Sequence, residues 1–249
     1  MLLNGKIALV TGASRGIGAA SALKLSEHGA VVAVNYNNSE NKAQKVVDSI
    51  IKNKGKAIAV KANIFNQIES ELMVQEVVKK LGNVDVLVLN AGANFKVAPF
   101  LEQSWADFEN KILNEIKGSY WTIKAVLPSM IERKSGSIII VSSGSSRRPS
   151  PGFSTHTTAK SALDGFAKSL AFELGPIGIR VNVIAPGLTE TDATNFWPQG
   201  HKDMVANITP MRRIGLPEDV AGAVLFYASD ESKFITGNYQ PVNGGAIML

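Results

Sequence analysis

Three side chains with chemistry to offer fall in the second half of the chain: Ser143, His156 and Lys160. A hydroxyl can orient a substrate oxygen, an imidazole can hold a proton near neutral pH, and an amine can bind oxygen ligands. His156 and Lys160 are four residues apart, one turn of a helix and therefore one face of it. A second pattern lies near the N-terminus, Thr11-Gly12-Ala13-Ser14-Arg15-Gly16-Ile17-Gly18. Its glycines allow a tight turn that brings backbone N–H groups close to a pyrophosphate, and the helix start behind them adds partial positive charge. The one pattern speaks of proton and oxygen chemistry, the other of a bound dinucleotide.

Such groups need elements to hold them, and the chain alternates short β-branched runs with longer amphipathic ones. Lys6–Thr11, Val31–Tyr36, Ala57–Lys61, Val84–Leu89, Ser137–Ser142, Arg180–Ile184 and Tyr239–Val242 read as strands. Gly16–His28, Glu40–Lys54, Gln67–Leu81, Trp105–Glu132, Thr155–Leu174 and Pro217–Ala228 read as helices. This alternation predicts an α/β fold: a single-domain, Rossmann-type doubly wound sheet of parallel strands with helices on both faces, spanning residues 1–249. Ligands of such sheets bind beyond the carboxyl ends of the strands. That rule gathers Gly12–Gly18, Asn90-Ala91-Gly92, Ser142-Ser143 and Pro186-Gly187 on one rim. Residues 188–216 show no clear periodicity and include Phe196, Trp197, Met204 and Met211, so they read as a lid over an apolar substrate.

The glycine turn has the strand before it and the helix after it that such motifs require. An NAD-preferring fold places an acid at the end of the second strand; here Asn35-Tyr36-Asn37-Asn38-Ser39 intervenes before Glu40. Arg15, with Asn35, Asn37 and Ser39, can meet a 2′-phosphate, which favours NADP(H). A net charge of +5 with scattered Lys and Arg argues against nucleic acid. No apolar run reaches the ~20 residues of a membrane span. The absence of cysteine excludes disulfides, thiolate metal sites and cysteine nucleophiles, and no metal site is expected. No signal peptide is evident, so a soluble cytoplasmic protein is expected.

On these motifs the chain resembles the short-chain dehydrogenase/reductase family, particularly its acyl-carrier-protein ketoreductase-like members. Asn182, Thr191, Arg213, Gly215, Pro217–Ala221, Thr236-Gly237 and Gly244-Gly245 extend the likeness along the chain. The resemblance implies about seven strands, a nicotinamide cofactor and a homotetramer or homodimer. It adds Tyr36, Asn63, Ile64, Thr189 and Thr191, with Lys160, to the cofactor-binding residues. It gives Ser143 the carbonyl and Lys160 the ribose, and it expects a proton-donating tyrosine where this chain has His156. An asparagine expected in the fourth helix falls on Glu115, with Asn114 beside it, and either could face the site.

As imidazolium His156 would be a strong acid, but Lys160 disfavours that form; as neutral imidazole it could still donate a hydrogen bond. Glu115 facing inward could pair with Lys160 and offset the repulsion. Three readings stay open. The first is NADPH-dependent reduction of a small apolar carbonyl substrate, free or carrier-bound, or the reverse oxidation. The second is C=C or C=N reduction, or a cyclisation or isomerisation, on the same scaffold; the third is nucleotide binding without catalysis.

Overall fold

The computed structural model describes residues 1–248. Seven strands are present: β1 (Ile7–Val10), β2 (Val31–Tyr36), β3 (Lys56–Lys61), β4 (Val86–Leu89), β5 (Gly136–Val141), β6 (Ile179–Pro186) and β7 (Tyr239–Val242). The helices are α1 (Gly16–Glu27), α2 (Glu40–Lys52), α3 (Gln67–Leu81), α4 (Trp105–Arg133), α5 (Ser154–Leu174), α6 (Gln199–Ile208) and α7 (Pro217–Ala228). The strands form one sheet in the order β3-β2-β1-β4-β5-β6-β7, and every pairing is parallel. The order reverses between β1 and β4. A crevice at such a reversal is where an open α/β sheet takes its ligand.

Parallel strands are covered on both faces, so they read as continuous apolar runs rather than alternating ones. In β5, Ile138, Ile139 and Ile140 are all inaccessible to solvent. Ile139 belongs to the core on one face, with Ala22 and Leu25 of α1, Val47 of α2 and Val220 of α7. Ile138 and Ile140 pack on the opposite face with Val77 of α3, Val126 of α4 and Leu163 of α5. The period-two alternation of side chains thus builds two cores from one strand.

The difference from the sequence expectation lies in residues 188–216, which hold α6 and a short 3-10 turn at Asp192–Thr194. The one buried residue of α6 is Lys202, whose ammonium meets Glu190 Oε1 at 2.6 Å. Met204 and Ile208 of the same helix are exposed. A helix that buries a paired charge in place of an apolar stripe has no hydrophobic period to read. Among the described residues no helix is long and apolar enough to cross a membrane.

Ile139→Ala should cost ~2–5 kcal/mol, because the rigid middle of the sheet cannot collapse on the cavity. Urea unfolding checks this; a loss below about 1 kcal/mol would mean that the β5 core relaxes freely.

Candidate active site

The rim forms where β1 and β4 end. Thr11 Oγ1 accepts from the N–H groups of Asn90 and Ala91 at 3.0 and 3.1 Å. The Asn90 amide donates back to the carbonyls of Thr11 and Gly12 at 3.0 and 3.1 Å. The strand ends therefore cross-link at the point where the sheet order reverses. Gly12 has φ of 61°, and a Cβ on it would lie 2.8 Å from that of Ala91, so two demands exclude a side chain there. Asn35 completes the turn from beneath, its Oδ1 accepting from Gly12 N at 3.1 Å.

The start of α1 is left free for an anion. Arg15 at the cap makes no side-chain capping bond, and the first turn contains no acid. Unpaired N–H groups and the positive end of the helix dipole fit a pyrophosphate, so the residues present suit a dinucleotide. Ser14, Gly16 and Ile17 are half-buried along this edge, Gly18 is buried and Arg15 is exposed. Beyond β2, Asn37 is exposed and Ser39 half-buried. Asn35 corrects the sequence expectation: its amide donates to Val60 O and Ala62 O at 3.3 and 3.1 Å, so it braces the turn and faces away from any 2′-phosphate. Tyr36 and Ile64 are buried core residues as well. Asn63 Oδ1 accepts from Phe65 N at 3.1 Å in its own turn.

A cation absent from the sequence-based set stands here. Lys42 Nζ lies 2.7 Å from Asp192 Oδ2, and Arg15 lies 3.7 Å from the same oxygen. Two cations thus converge on one anionic position past the end of β2. Lys42 was hard to see because it sits on the exposed first turn of α2, where a solvated lysine is ordinary.

The charged centre lies between α4 and α5. Glu115 is fully buried, and its neighbour Asn114 hydrogen-bonds to Asn110 on the exposed side of the helix. Glu115, then, is the residue that faces the site. Its Oε2 accepts from Lys111 Nζ at 2.8 Å and Ala93 N at 3.0 Å, and its Oε1 contacts Lys160 Nζ. Gly92 permits this, since a Cβ there would come within 3.1 Å of Glu115 Oε1. Lys160 Nζ also donates to Val141 O at 3.0 Å. Burial pushes the Glu115 carboxyl up, but Lys160 and Lys111 outweigh it and hold the group at about 2. Lys111 escaped the sequence reading; its one visible signal was the four-residue spacing to Glu115.

His156 is half-buried in the first turn of α5. Its ring stacks on Phe95 with centroids 4.4 Å apart and meets Phe153 edge-on at 6.0 Å, and its Nδ1 is buried without a hydrogen-bond partner. Desolvation, reinforced by Lys160 and Lys111 against Glu115, lowers its pKa to about 3. The ring is accordingly a neutral imidazole at physiological pH. Ser143 Oγ accepts from Ser145 Oγ at 2.8 Å, and Tyr239 donates to Ser143 O at 3.1 Å.

The far wall comes from the end of β6. Gly187 N donates to Val242 O at 3.0 Å, fixing Pro186-Gly187 beside β7. Thr189 is buried and donates to Gly187 O at 3.1 Å. Thr191 abuts the glycine turn, its Cγ2 being 3.3 Å from where a Cβ on Gly16 would stand. Trp197 lies nearly parallel to Phe153 at 6.2 Å and stacks on His201 at 4.0 Å. An aromatic row therefore runs from Phe95 through His156 and Phe153 to Trp197.

Comparison with known proteins matches residues 12–246 to the family described as Enoyl-(Acyl carrier protein) reductase. A 3-oxoacyl-[acyl-carrier-protein] reductase of Staphylococcus epidermidis is 41% identical over 245 residues, covering 98% of this chain and 99% of that one. The 3-oxoacyl-[acyl-carrier-protein] reductase of Synechocystis is 39% identical over 248 residues, with 99% of each chain covered. The crystal structure of levodione reductase superposes with a TM-score of 0.93, at 24% identity and 98% coverage of both chains; that likeness concerns the fold.

The neutral state of His156 can be tested through stability. The folded ring takes its proton near pH 3 and a free histidine near 6.5. Between those values the unfolded chain binds the extra proton, so stability falls as pH falls. His156→Gln should remove that part of the slope in urea midpoints measured from pH 7 to 4. Parallel curves for the two proteins would show that the ring titrates normally.

Proposed function

Since the chain belongs to the short-chain dehydrogenase/reductase family of oxidoreductases, we propose that it reduces the carbonyl of an apolar, carrier-bound acyl substrate with NADPH. The observation that carries this reading is the continuity of the rim. Gly12 is tied to Asn90, Gly92 admits Glu115, and Glu115 holds Lys160 beside the end of β5. The full-length likeness to reductases named for 3-oxoacyl carrier-protein substrates supports the substrate class.

The glycine turn, the α1 start, Asn90-Ala91-Gly92, Asn63, the backbone at Ile64, Lys160, Pro186-Gly187, Thr189 and Thr191 would hold the dinucleotide. When bound, it supplies a hydride to the carbonyl carbon. Ser143 orients the carbonyl oxygen, and Lys160, anchored on Val141 O and Glu115, holds the ribose. His156 acts as a neutral hydrogen-bond donor to the oxygen, as neutral histidine does in other enzymes. The proton that completes the alcohol arrives through water, because an imidazole with a pKa near 3 carries no spare proton at pH 7. Residues 188–216 act as a lid whose Trp197 rests on Phe153. Exposed Trp105, Leu113 and Tyr120 of α4 and Phe172 of α5 support a homo-oligomer, a dimer or tetramer built on those helices.

One observation favours a second reading. The matching family description names an enoyl reduction, and C=C reduction makes less demand on a phenol at position 156. NADPH oxidation with 3-oxoacyl and 2-enoyl thioesters separates the two. We expect turnover of the 3-oxoacyl substrate, with Ser143→Ala and Lys160→Met each slower by about 10²–10⁴-fold. Turnover of the enoyl thioester alone supports the second reading, and His156→Tyr then shows whether a phenol restores ketone reduction.

Cofactor choice follows from the two cations past β2. Arg15→Ala combined with Lys42→Ala should weaken NADPH binding by about tenfold or more and leave NADH binding unchanged, each such contact being a charge-assisted hydrogen bond. Equal losses for both cofactors, measured by calorimetry, would contradict a 2′-phosphate site.

A further inference from the structure

Lys111 has no part in the chemistry described so far, yet its side chain is only 3% exposed and its partner Glu115 is fully buried. Stability offers a poor reason for this. Burying a lysine and a glutamate removes both from water, and an apolar pair at the same positions is often as stable or more so. The order is also unfavourable, with Lys one turn before Glu, where the reverse order suits the helix dipole. What Lys111 does have is position. It donates to Ala93 O at 2.6 Å and to Glu115 Oε2 at 2.8 Å, and it sits 5.3 Å above the Phe95 ring that stacks on His156.

We propose that Lys111 is a positioning residue of the active site: it pins Glu115 and the Ala93–Phe95 loop against His156, and it leaves one positive charge in excess beside that ring. The count is direct. Two ammonium groups, Lys111 and Lys160, share one carboxylate, Glu115. With Glu115 Oε2 taken by Lys111 and Ala93 N, Oε1 is left for Lys160. Burial lowers the His156 pKa most; the charged groups acting beside it are Lys160 from α5 and Lys111 and Glu115 from α4, while Phe95 and Phe153 are uncharged. Neutralising Lys111 leaves a balanced Lys160–Glu115 pair and removes the excess charge, while burial and Lys160 continue to hold the His156 pKa down. The inference takes the reductase site of the preceding section as its setting, but its test needs neither cofactor nor substrate, so the two can fail separately.

The test is a titration of the imidazole proton signals by NMR, with His156 assigned among the three histidines through His156→Gln. Lys111→Gln, which can still donate to Ala93 O, should raise the His156 midpoint by about one pH unit. Lys111→Arg keeps the charge and should leave the midpoint within about 0.3 unit of the native one. A purely structural lysine would show melting temperatures lowered in both variants and an unmoved midpoint in both, and that result would overturn the proposal. Should Lys111→Gln fail to fold, Lys111→Met in the same titration takes its place, with the same expected rise and the same overturning result.

Discussion

A carboxylate with no access to water has to find its partners inside the protein, and Glu115 finds them on three separate pieces of chain. Its oxygens meet Lys111 on its own helix, the backbone of Ala93 after β4, and Lys160 on α5, which in turn holds the last carbonyl of β5. Losing any one partner would leave a buried charge short, a defect usually far more harmful than replacing the whole set with apolar groups. The relative placement of α4, α5 and two strand ends is thus set by one ion. The same ion tempers the positive charge that Lys160 and Lys111 place around His156, whose pKa is lowered first of all by burial.

The glycine turn is set by a different constraint, the need for two backbones to touch. Ala91 approaches Gly12, and the Asn90 amide passes so close to Gly18 that a Cβ there would lie 2.5 Å from its nitrogen. Thr11 closes the contact with a hydroxyl that accepts two N–H groups. The polar bonds at the reversal of strand order run from the Thr11 and Asn90 side chains to backbone groups; the α1 start stays uncapped, and an uncapped helix start is what an anion requires. Packing and ligand affinity come from the same few atoms.

Much of this was legible in the residues. Long β-branched runs bounded by turn residues marked the strands to within one or two positions, because a parallel strand must be apolar on both faces. The glycine turn was legible because its spacing is dictated by backbone contact. The inward turn of Glu115 was not, since one residue of slip rotates a side chain by about 100° and both Asn114 and Glu115 are polar. Asn35 misled for a related reason: an amide at a strand end can face a ligand or brace a neighbouring loop, and composition does not say which. Lys202 gave no signal and Lys111 only its spacing to Glu115, because a lysine is ordinarily solvated. Only coordinates reveal a carboxylate waiting for it, as with Glu115 and Glu190. Helix α6 was missed with Lys202.

The aromatic row beside the site has a further consequence, an optical one. Trp197 belongs to residues 188–216, the proposed lid, whereas Phe153 belongs to the start of α5, and the two rings lie within 5° of parallel. The indole also stacks on His201. Any motion that lifts the segment separates these rings and moves the indole from an apolar, stacked setting into water. Of the three tryptophans, this one would report on the lid proposed above: its share of the emission, in colour and intensity, would follow the position of residues 188–216 without any label being attached.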